Sequence, residues 1–63
     1  KTYITIVPSK VLSQPSLVSR EIANLEINTL VTAVASMGQW IEVRSMKGQK
    51  GYVLRQNLEY KKD

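Results

Sequence analysis

Gln39-Trp40-Ile41-Glu42-Val43-Arg44 and Gly51-Tyr52-Val53-Leu54 alternate residue types on either side of a polar, Gly-containing stretch. That pattern reads as a β-hairpin. Period-two geometry sends Ile41 and Val43 to one face of the first strand and Trp40, Glu42 and Arg44 to the other. The turn Met46-Lys47-Gly48 fixes the register. A two-residue loop at Lys47-Gly48 would set Val43 opposite Tyr52 and mix the faces. A three-residue loop with Gly48 in the left-handed conformation instead sets Val43 opposite Gly51, Glu42 opposite Tyr52 and Trp40 opposite Leu54, and it is the expected arrangement.

The chain has 63 residues, which bounds it to one domain near the lower limit for independent folding. It has no Cys and no His, so disulfides, thiolate or imidazole metal sites and an imidazole base are unavailable to it. No metal and no cofactor is expected, and the core must supply the stability. Nine basic against five acidic residues give a net charge of +4. This excess favours polyanionic partners or simply keeps the domain soluble. No apolar run approaches the ~18 residues of a membrane span. A start at Lys1 and an end in Lys61-Lys62-Asp63 suggest that residues 1–63 are a single module taken from a longer protein.

Tyr3 to Val7, stopped by Pro8, reads as a first strand. Ser9 to Arg20 reads as a long loop anchored by Val11, Leu12 and Leu17, its serines bonding their own backbone. Arg20 to Asn24 is expected to be extended. Asn28 is the non-Gly residue best suited to a turn with positive φ, and it precedes the longest β pattern, Thr29 to Ala35. There Leu30 and Val34 face away from Val31 and Ala33. Ser36-Met37-Gly38 leads into the hairpin, Arg55-Gln56-Asn57 fits one 3₁₀ turn, and Leu58-Glu59-Tyr60 is a last short strand. The fold class expected is all-β: a small barrel of about five short strands.

The ordered set Pro15-Ser16, Ile22-Ala23-Asn24-Leu25, Val31 with Ala33, Gly38-Gln39-Trp40-Ile41-Glu42-Val43-Arg44, Gly48 and Gly51-Tyr52-Val53 resembles the bacterial SH3 family from about Val11 to Leu58. The resemblance implies an SH3-like barrel with a long early loop. It also implies an extracytoplasmic module, periplasmic, secreted or wall-associated, that binds peptidoglycan or another wall component. The early loop departs from the family: Ser9-Lys10-Val11-Leu12-Ser13-Gln14-Pro15 lacks its Leu, Arg and Gly, so function carried by that loop does not transfer.

No nucleophile with an activating base, paired carboxylate set or metal cluster is evident, and Glu21, Glu26, Glu42 and Glu59 are scattered. A non-catalytic module is therefore expected. Trp40 is the leading recognition residue, either as an exposed ring or as a cap over the early loop, with Glu42, Tyr52 and Leu54 as neighbours in both cases. Arg44, Lys47, Lys50 and Arg55 surround the hairpin, as anion ligands or as a solvated turn. The candidate ligand-binding residues are Trp40, Tyr52, Glu42, Arg44, Leu54 and Arg55. A protein–protein docking role is the alternative to wall binding. Nucleic acid is disfavoured for want of a stacking array, and binding of PxxP peptides is not expected.

Overall fold

The computed structural model describes residues 1–44 and 48–62. The order is β1 (Thr2–Thr5), β2 (Ser9–Leu12), β3 (Glu21–Leu25), β4 (Leu30–Met37), β5 (Trp40–Arg44), β6 (Lys50–Leu54), a 3₁₀ turn (Arg55–Asn57) and β7 (Leu58–Tyr60). The all-β expectation holds, and so does the 3₁₀ turn before the last strand. The count does not: among the described residues seven strands form one antiparallel sheet ordered β3-β2-β6-β5-β4-β1-β7.

The extra strands come from the first third of the chain. The first strand ends at Thr5 rather than Val7, because Thr5 is fastened elsewhere and Ile6 and Val7 turn outward, exposed. The supposed long loop from Ser9 to Arg20 opens with β2, which pairs with β3 from Ser9↔Leu25 to Leu12↔Glu21 across a bulge. Only residues 13–20 remain as loop. Leu17 is no anchor there, being 74% exposed.

The hairpin register is the expected one: Trp40↔Leu54, Glu42↔Tyr52 and Val43↔Gly51. Gly48 has φ of 82° and Asn28 φ of 67°, the left-handed values their turns demand. Met46 and Lys47 lie outside the described residues. Ile41 and Val53 are fully buried and, with Val11, Val43 and Leu58, form the core, against which Tyr3, Ile22, Leu25, Val31 and Ala33 pack. Residues of both edge strands, β3 and β7, thus share one core, so the sheet must curl round it. Leu30 is exposed as its parity requires, and Val34, at a bulge between Ala33 and Ala35, is exposed as well.

A second fastening joins the start of the chain to its middle. Thr5, wholly buried, donates its hydroxyl to Glu26 O at 2.6 Å and accepts from Thr29 N at 2.8 Å. Its own N–H donates to Thr29 O at 2.9 Å, and its carbonyl accepts from Asn28 N at 2.8 Å. One residue therefore pairs with the carbonyls of Glu26 and Thr29 and with the N–H groups of Asn28 and Thr29, and ties that turn to β1.

Candidate functional site

Directly opposed residues of antiparallel strands point to the same side, so the register sorts the outer face of β4, β5 and β6 into three rows. Met37, Trp40 and Leu54 form the first, and Ala35, Glu42 and Tyr52 the second. Thr32, Arg44 and Lys50 form the third. The face grades from an apolar, aromatic end to a cationic end. Trp40, Glu42, Tyr52 and Leu54 are half-buried, Met37 is 44% exposed, and Arg44 and Lys50 are exposed.

Two features of this face were hidden in the sequence. A bulge at Val34, between the pairs Ala33↔Val43 and Ala35↔Glu42, reverses the parity of β4, so that Met37 joins Trp40 instead of facing the core. Strand pairing adds Leu12 beside Tyr52. Leu12 is only 7% exposed although it belongs to the outer side. It stands between Tyr52 and Glu21 in the sheet, and after it the chain turns back, Ser13 N donating to Arg20 O at 2.8 Å. Leu12 thus flanks Tyr52 on this side of the face, while Trp40 stays half-buried.

Arg44 and Lys50 stand directly opposite each other. Like charges so placed repel, and among the described residues neither makes an ion pair; Lys10 bridges to Glu21 at 3.7 Å on the β2–β3 hairpin. The pair is a site where an anion would relieve repulsion. Lys47 falls outside the described residues.

Arg55 is employed differently. Its Nε donates to Gly38 O at 2.9 Å, its Nη2 to Ser36 Oγ, and its backbone N to Gln39 O at 2.8 Å. Ser36 pairs with Ile41, on the core side. The guanidinium therefore clamps the Gly38-Gln39 turn between β4 and β5, and reaches away from the Trp40 row. Five of the six candidate residues share one face, and Arg55 braces the turn at its end.

Among the described residues no three acidic side chains gather as a metal ion would require, and no helix is long and apolar enough to cross a membrane. No family model matches the chain, and neither a curated protein nor a solved structure matches it at a significant level.

Proposed function

We propose that this chain is a non-catalytic, bacterial SH3-like binding module that holds its parent protein at the cell envelope by binding peptidoglycan or another anionic wall component. The barrel assignment rests on the ordered motifs and on the curled sheet with its late 3₁₀ turn. The observation that carries the ligand class is the graded outer face: a half-exposed Trp40 flanked by Met37 and Leu54, two rows from the opposed Arg44 and Lys50. A sugar ring offers an apolar face to an indole, and the carboxylates of a wall polymer offer the charge that Arg44 and Lys50 lack. Glu42 and Tyr52, between them, supply an acceptor and a hydroxyl for the amides and hydroxyls of such a polymer.

Retention on isolated cell walls tests this. Because both cations are exposed, retention should fall as salt rises from about 0.05 M to about 0.5 M. It should fall as well in Trp40→Ala and in Arg44→Ala/Lys50→Ala at low salt. Retention that is indifferent to salt and to both variants would sink the wall-binding reading. The second reading, docking to a neighbouring protein domain, draws on exposed aliphatics outside the three rows, Ile6, Val7, Ile27 and Leu30. Capture of a protein partner that is lost in Leu30→Asp but kept in Trp40→Ala would favour it.

A further inference from the structure

The curled sheet leaves its core uncovered on the side of β3. Ala23 pairs with Val11 and so points toward the core, yet it is exposed. Leu25 and Val31, which pack on the same core, are only half-buried. Between β3 and β4 lies a cleft of about 230 Å³, walled by Val11, Ile22, Leu25, Val31 and Val43, with Gly51 contributing bare backbone. Leu30, 58% exposed, forms one lip and Ala23 the other. Arg44 and Gln49 stand at the rim.

The strand beside the cleft is also incomplete. β3 is an end strand of the sheet, paired with β2 alone. One side of its backbone therefore keeps donors and acceptors that no strand among the described residues satisfies, a template for an added strand. The added strand would lie along the cleft, and its alternate side chains would point into it.

We infer that this cleft binds an extended, acidic peptide as an added strand on β3, with an aliphatic side chain seated among Val11, Val31 and Val43 and a carboxylate against Arg44. Three observations select that occupant over others. The walls are aliphatic and so suit an aliphatic side chain. The rim cation has no acidic partner among the described residues and is pressed by Lys50 opposite it. The free edge asks for backbone, which a lipid chain or a glycan lacks. The site is distinct from the Trp40 end of the wall-binding face, and shares with that face Thr32 and Arg44 of its end row.

Titration of the ¹⁵N-labelled domain with a blocked hexapeptide of alternating valine and glutamate tests the inference, with the valine–lysine peptide as control. Saturable shifts are expected at Ile22, Ala23, Leu25, Val31 and Gly51, with the Trp40 indole unmoved and the lysine peptide silent. Ala23→Glu and Leu30→Asp each place a like charge on a lip at an exposed position, and each should weaken the acidic peptide about tenfold. Backbone spectra of both variants check that they fold. Equal binding of the two peptides, shifts centred on Trp40, no saturable shift, or pairing of β3 with a second copy of the domain would each overturn it.

Discussion

At the scale of single residues, Gly51 decides how closely β2 approaches the hairpin. A Cβ built there would overlap Val11 Cγ1 and stand 3.2 Å from Ile22 Cδ1. Both are core-packing atoms, and Leu12 O is 3.5 Å away. Gly51→Ala is therefore expected to destabilise the fold by about 1–3 kcal/mol, the usual cost of overfilling a packed core. Val11→Ala removes the obstructing methyl, so the double variant should lose less than the sum of the two single losses. Denaturant midpoints of all four proteins measure this; strict additivity would mean that the two positions do not meet. Gly51 was legible in the sequence only as the first residue of Gly-aromatic-Val, since the reason for it lies in a strand forty residues earlier. Gly48 and Asn28 were readable without tertiary knowledge, because their positive φ is a demand of the local turn. Leu17 was not: its exposure follows from serine bonds that hold the loop, Ser19 Oγ donating to Ser16 O at 2.6 Å and Ser16 Oγ accepting from Val18 N at 3.3 Å.

At the scale of elements, the joint between β1 and the turn leading into β4 depends on one hydroxyl. Thr5→Val keeps the shape and removes both the donor to Glu26 O and the acceptor for Thr29 N. A loss of about 1–3 kcal/mol is expected, because the partner N–H is left in a partly buried place. Thr29→Val removes a hydroxyl that also reaches Glu26 O, at 2.6 Å, but in an exposed setting, so its loss should stay near about 0.5 kcal/mol. Equal melting of Thr5→Val and the parent protein would show that the turn is held by backbone bonds alone. The hairpin was legible because its alternation matches one buried and one wetter face. β2 was not, and the cause is physical: Val11 and Leu12 are consecutive and both buried, one in the core and the other on the outer side beside Tyr52. Burial on two sides erases the period of two on which a strand is recognised. The outer face was half legible for a related reason. Its β5 and β6 rows follow parity, whereas Met37 enters through a bulge that has no mark in the residues around Val34.

At the scale of the whole molecule, the arrangement argues against the ligand for which eukaryotic SH3 domains are known. Recognition of PxxP peptides lays a polyproline II helix across several aromatic rings and commonly holds a ligand Arg with acids of the early loop. Under the proposed SH3-like reading, comparison with eukaryotic SH3 domains would align Trp40 with one such ring, and would align Leu54 and Asn57 with the groove-lining Pro and Tyr. Tyr52 is half-buried between Leu12 and Glu42, so its ring is flanked on both sides. The loop offers no acid: between Pro8 and Arg20 there is neither Asp nor Glu. Its tip instead presents Leu17 and Val18, 74% and 94% exposed, and Arg20 near its base would repel a basic ligand. With one ring and no clamp, the contacts that offset the ordering of a peptide are too few. Arg-flanked PxxP peptides titrated into the labelled domain are expected to produce no saturable shifts at Trp40 up to millimolar concentration. Micromolar saturation centred on that ring would show that a single indole and the Leu54 flank suffice, and would make peptide docking the leading function in place of wall binding.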